Sequence, residues 1–169
     1  MKSGQTRVVS PLQAGVANRP EPIPVFGQRL AGETYVVRPS AYAIIENEKG
    51  DIATVITPLG FFLPGGGIEA GETPGEAVVR EAREECGLLV RPEGEIARAV
   101  QFSYSKTERC YFEKRIVFLR AILEGTTAAV EEDHELVWQR PETAAAQMWH
   151  ESHGWVLGEV RREAEWTRS

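Results

Sequence analysis

Three carboxylates, Glu81, Glu84 and Glu85, stand at i, i+3 and i+4, downstream of the glycine run Gly65, Gly66 and Gly67. On a helix, like charges at these spacings repel by roughly 0.2–0.5 kcal/mol per pair. A chain that gathers them needs a compensating cation. A hard divalent cation with oxygen ligands answers that need, and magnesium or manganese fits the chemistry. Zinc would call for histidine or cysteine, and neither lies on this face. The glycines suit the same purpose. Backbone without side chains turns sharply and approaches a ligand closely, so a carbonyl from this loop is a plausible further oxygen donor. Taken by itself, the same pattern also describes an amphipathic helix with a solvated acidic face.

The helix that must carry the carboxylates can be placed from local rules. Thr73 is an N-cap, Pro74 occupies the first turn and Glu76 completes a capping box. Gly87 supplies a left-handed stop. The signals predict a helix over 74–86. With Ala77 at zero and a rotation of about 100° per residue, Glu84 falls near about 340°, Glu81 near about 40° and Glu85 near about 80°. Val78, Ala82, Cys86 and Val79 fill the arc from about 100° to about 200°. One stripe can pack on a sheet while the adjoining stripe carries the acids.

The remaining elements follow from period and punctuation. Residues 35–46 and 51–57 read as a hairpin around Asn47 and Gly50. Phe61 to Leu63 is a short strand running into Pro64 and the glycine loop. Residues 97–104, 114–123 and 136–139 read as strands. Helices are expected over 142–149, just after Pro141, and over 155–166, leaving His150 and His153 in a loop between them. Residues 1–33, with Pro11, Pro20, Pro22 and Pro24, read as an N-terminal arm or edge strand, and 34–169 as the folded domain. Strands interleaved with helices predict an α/β fold: a mixed sheet with helices on its faces.

Composition narrows the function. The chain has 169 residues, 42% hydrophobic and 26% charged, and a formal net charge of −6. That suits one globular domain. The negative balance argues against nucleic acid as a partner. No apolar run approaches the roughly 20 residues of a membrane span, and the N-terminus has no signal pattern, so a cytoplasmic address is expected. Cys86 and Cys110 form neither a disulfide framework nor a zinc site. An anionic small molecule bound through a cation remains. A homodimer is compatible with the sequence but not specified by it.

Gly66, Glu72, Arg80, Glu81, Ala82, Glu84, Glu85, Gly87 and Leu88 together match G-x5-E-x7-R-E-U-x-E-E-x-G-U, with U apolar, at every defined position. This stretch resembles the Nudix box, and the strand–loop–helix order around it resembles the Nudix (MutT-like) hydrolase superfamily from about residue 35 onward. The resemblance implies an α/β/α sandwich with a mixed sheet. It also implies a Mg2+-dependent pyrophosphohydrolase for which Mn2+ can substitute. In that reading Glu81, Glu84 and Glu85 ligate the metal with the Gly66 carbonyl. Glu81, or failing that Glu84, handles the attacking water, and Glu72 with Arg80 braces the loop against the helix. Some members use a late-loop glutamate, which makes Glu132 and Glu135 candidate helpers. Tyr104 resembles a tyrosine of the branch that hydrolyses diadenosine polyphosphates. A proline that marks many ADP-ribose hydrolases is replaced here by Ser103.

Arg38, just ahead of a strand, is a candidate contact for a substrate phosphate or base. Lys106, Arg109, Lys114 and Arg115 read as a charged hairpin tip or, less simply, a cationic wall for phosphates. The expected substrate is a nucleoside triphosphate or related nucleotide, with a dinucleoside polyphosphate as the alternative. A non-catalytic nucleotide-sensing module of the same fold is a further reading, but such a module would be expected to lose box glutamates, and none is lost.

Overall fold

A computed structural model describes residues 22–128 and 132–166, the last four of these by backbone only. Residues 1–21, most of the arm, lie outside them, as does Glu131 in the late acidic loop. The strands are β1 (Val25–Phe26), β2 (Tyr35–Glu46), β3 (Ile52–Thr57), β4 (Gly60–Phe62), β5 (Gly65–Gly67), β6 (Leu88–Ser105), β7 (Cys110–Thr126) and β8 (Glu135–Gln139). The helices are α1 (Pro74–Cys86), α2 (Pro141–Gln147) and α3 (Glu151–Trp166).

The strands form one mixed sheet in the order β1-β6-β7-β2-β3-β4, with β5 added to β2 and β8 to β3. β2 and β7 run parallel, as do β1 and β6; β6 and β7 are antiparallel, and so are β2 with β3 and with β5. The side-chain period of two makes the sandwich. Along β2, Ala41, Ala43 and Ile45 face α1 and pack with Ala77, Val78, Ala82 and Cys86. Tyr42 and Ile44 face the other way and pack with Phe118, Leu63, Val156 and Leu157 under α2 and α3. Both faces of the sheet are therefore covered, and the fold is the α/β/α sandwich. No helix among the described residues is long and apolar enough to cross a membrane.

α1 begins and ends where local chemistry says it must. The Thr73 hydroxyl accepts from Glu76 N at 3.2 Å, and the Glu76 carboxylate accepts from Thr73 N at 2.8 Å. Gly87, at φ 63°, closes the helix by donating to the Arg83 carbonyl.

Three expectations are corrected. The glycine run is not a loop but strand β5, with Gly66 opposite Ala41 and Gly65 opposite Tyr42. β6 starts at Leu88, well before residue 97, because register shifts around Pro92 and Gly94 absorb the residues that would otherwise break it. α3 starts at Glu151, so His153 is helical rather than in a loop, and both His150 and His153 are buried.

Gly65 shows why glycine is demanded there. Its φ is +142°, and a Cβ would sit 2.2 Å from the Ala41 carbonyl oxygen and 2.6 Å from Tyr42 Cα, both backbone atoms that cannot yield. Gly71, at φ +83°, has nothing within 4 Å of the added carbon. Gly65→Ala is expected to lower stability by about 3 kcal/mol or more, and Gly71→Ala by about 1 kcal/mol. Urea titrations of the two variants check this, and equal midpoints would contradict it.

Candidate active site

Arg80 is the hub of the acidic stripe. Its Nε and Nη2 donate to the two oxygens of Glu72 at 2.8 and 3.0 Å, a bidentate pair, and Nη2 also donates to the Gly67 carbonyl at 3.0 Å. Nη1 donates to Glu81 at 2.8 Å and reaches Glu84 at 3.4 Å. One guanidinium thus ties the loop before α1, the end of β5 and two acids of α1. Glu69 N donates to the same Glu72 carboxylate at 2.9 Å. The hydrogen bonds from Arg80, then the one from Glu69 N, hold the Glu72 carboxyl below its ordinary value of 4.5. Glu72 in turn pushes the Arg80 guanidinium higher still.

Glu85 faces the sheet. It is 9% exposed, and its Oε2 accepts from Gly65 N at 2.9 Å. Its Oε1 lies 3.6 Å from His134 Nε2. Glu81 lies against β5 from the other side, where a Cβ on Gly66 would come within 2.6 Å of its Oε1. The acids meet the glycine strand differently: Glu81 closes on the space beside Gly66, Glu85 accepts from Gly65 N, and Glu84 reaches the strand through Arg80. Glu81, Glu84 and Glu85 offer carboxylate oxygens along one stripe of α1, and the open backbone at Gly66 leaves space that any other residue would fill. That donor set fits a hard divalent cation held by Glu81, Glu84, Glu85 and the Gly66 carbonyl. As the side chains stand, no three acidic, histidine or cysteine side chains among the described residues converge tightly enough to hold an ion. Arg80 supplies the positive charge instead, so a metal would take Glu81 and Glu84 in exchange for Arg80.

A cleft of about 560 Å³ opens beside Glu85 and Gly65. Arg38, Tyr104, Phe62 and Trp149 are among its walls, and Asp133 and His134 stand at its rim. Arg38 donates to Glu108 at 2.8 Å and lies over the Phe112 ring at 4.9 Å. Tyr104 is half exposed, with its ring 4.8 Å from that of Tyr111. Arg38 and Tyr104 are thus brought together with Glu85. Glu132 and Glu135 are not: both are exposed and neither lines the cleft. Asp133 and His134, just ahead of β8, are the residues of this stretch that line the cleft. Trp138 packs into the core against α1. A second cavity of about 590 Å³ runs along the outer side of α1, past Val79, Arg83 and Pro92. Arg80 and Glu84 also line it, whereas Glu85 and Gly65 line the first and Glu81 lines neither, so the acidic stripe borders both.

Sequence reasoning named Lys114 as part of a hairpin tip or cationic wall and His150 as a loop residue, but missed that the two pair in the cleft. Lys114 Nζ lies 3.0 Å from His150 Nε2, and both line the cleft. Burial, and then the Lys114 charge, push the His150 imidazole down to about 3. His153 lies behind it, with its ring 5.3 Å from that of His150 and its Nδ1 accepting from Leu63 N at 3.2 Å. Spacing along the chain could not pair a strand lysine with a histidine 36 residues later.

The model of the NUDIX domain family matches residues 36–157. Among solved structures, the MutT protein from Methanosarcina mazei Go1 is similar at a TM-score of 0.57 and 21% identity, covering 77% of this chain and 96% of that one. A NUDIX hydrolase from Nitrosomonas europaea is similar at 0.52 and 18% identity, covering 66% and 78%. A UDP-X diphosphatase is similar at 0.55 and 18% identity, covering 78% and 66%. At these identities the structures share the fold.

A carboxylate whose pKa is lowered by folding stabilises the folded chain above its unfolded pKa, and that stability is lost as pH falls through the folded value. Melting temperatures measured from pH about 7 down to about 3 should therefore fall more steeply for the wild type than for Glu72→Gln, which cannot titrate at this position. Glu76, held low by Thr73, titrates in both proteins and cancels. Parallel curves would show that the Glu72–Arg80 brace contributes nothing.

Proposed function

We propose that this chain, which belongs to the Nudix family of pyrophosphohydrolases acting on phosphorus-containing anhydrides, hydrolyses a nucleoside triphosphate or related nucleotide with Mg2+ as its cofactor. The observation that carries this reading is the Arg80 network. All box glutamates are present: one guanidinium beside a glycine strand organises Glu72, Glu81 and Glu84, and the Gly65 amide holds Glu85. A solvated acidic face would not hold a buried Glu85 on a backbone amide.

Bound there, a divalent cation draws charge from the phosphoryl oxygens and lowers the pKa of a coordinated water. The chain's own residues supply position and proton handling. Glu81, backed against Gly66, is the first candidate to accept the proton of the attacking water, and Glu84 is the second. Glu85 is pinned by Gly65 N, so one carboxylate oxygen is directed and the other is left near His134. Glu72 holds Arg80 from its far side, so α1 and β5 keep their spacing when Glu81 and Glu84 turn to a metal. The cleft beside Glu85 offers aromatic walls for a base. Tyr104, within reach of that cleft, favours the dinucleoside polyphosphate as the second substrate reading.

Glu84→Gln or Glu85→Gln is expected to lower kcat by at least about 100-fold, about 3 kcal/mol of barrier. The measurement is phosphate or pyrophosphate release from a nucleotide panel with Mg2+, with Mn2+ and with chelator. Turnover close to wild type in either variant, or turnover undiminished by chelator, would remove the assignment.

A further inference from the structure

Lys114 is the cleft residue for which the site described above has no use. It sits on β7 directly opposite Arg38 on β2, in parallel register. Like charges facing each other across strands destabilise a sheet. Arg38 is compensated by Glu108 at 2.8 Å. Lys114 has no carboxylate partner among the described residues; its polar contact is the buried imidazole of His150. A half-buried cation without a counter-ion is costly unless something anionic comes to meet it.

We propose that Lys114 and Arg38 form an anion subsite in the cleft that takes a phosphate group beyond the scissile pyrophosphate. Nucleoside triphosphates and longer polyphosphates are then favoured over diphosphates capped by a neutral group. The word scissile rests on the hydrolase reading above; the anion subsite itself does not.

The geometry explains how the lysine is held. An ammonium has only donors, so at 3.0 Å it must donate to His150 Nε2, and that requires a neutral imidazole with its proton on Nδ1. His150 is kept neutral by burial and by Lys114 itself. Its ring is fixed edge-on to Phe62 at 5.2 Å. His150 is thus a positioning residue that leaves the remaining ammonium protons for a ligand. The charged groups around Lys114 are Arg38 on β2 and Glu108 in the β6–β7 turn, with His150 just ahead of α3 in contact with it and His153 in α3 behind that ring. Burial, then Arg38, bring the ammonium down to about 8 while Glu108 opposes them, so at neutral pH the lysine is still charged. Ser103, Ser105 and Thr107, also along the cleft, add hydroxyl donors.

The test is binding of two non-hydrolysable probes to the full chain with Mg2+ by calorimetry: a methylene-bridged nucleoside triphosphate and the matching methylene-bridged nucleoside diphosphate hexose. The wild type should prefer the triphosphate. Lys114→Met should reduce that preference by at least about tenfold, the worth of one charge-assisted hydrogen bond, and Lys114→Arg should restore most of it. Equal weakening of both probes by Lys114→Met, or no weakening, would overturn the subsite. So would a wild type with no preference, a result that stands even if Lys114→Met does not fold. Failure of the hydrolase reading looks different: the wild type would bind the triphosphate probe selectively yet release no product from any natural nucleotide.

Discussion

A single guanidinium resolves the central difficulty of this chain. Three glutamates within five residues of one helix would repel each other, and Arg80 on the same helix is placed to answer them. It meets Glu81 and Glu84 with one nitrogen and spends the other two on Glu72 and the Gly67 carbonyl. Part of the stripe's charge is thereby offset, and the stripe is at the same time anchored to backbone outside the helix. The chain carries its own cation on this face, and a metal ion bound there would compete with it.

That anchoring works only because the glycines lie in the sheet. Placing Gly65 to Gly67 on β2 as strand β5 brings the backbone of the site into the rigid core of the molecule. Glu85 reaches that strand through a buried hydrogen bond, and Glu81 packs on it where a side chain would intrude. The helix and the glycine segment are thus registered against one another by contacts on both sides of the Arg80 network. Positioning to a fraction of an ångström is what attack in line with a leaving group demands.

The same β2 strand divides the molecule's labour. One face of it holds α1 through small residues, Ala41 and Ala43, which let the helix lie close. The other presents Tyr42 toward the cleft and the histidine pair. Burial, followed by the nearby Glu85 carboxylate, pushes the Tyr42 hydroxyl well above its ordinary range, so it stays neutral. Ahead of these positions, Arg38 reaches the cleft and pairs in register with Lys114. Glu85 of the acidic helix and the cationic strand pair therefore line a common cleft.

How much of this was legible in the sequence depends on the range of the interaction. α1 was readable to the residue because its limits are set by neighbours in the chain: Thr73 and Glu76 bond each other, and Gly87 turns left-handed for want of a Cβ. The alternation of β2 and the carboxylate stripe were readable for the same reason, since period is a local property. The glycine run looked like a loop, because glycine is rare in strands and only the demand for close approach to Ala41 and Tyr42 makes it fit one. Pro92 and Gly94 looked like a break, and pairing to β7 carries the strand past them by register shifts. The late acidic loop offered several carboxylates, and in the folded chain Asp133 and His134, not Glu132 and Glu135, line the cleft. Lys114 and His150 could not be paired at all from the sequence. What a chain segment does with itself follows from its residues; which distant side chains share a cleft is decided by strand register and burial, and those exist only once the sheet has formed.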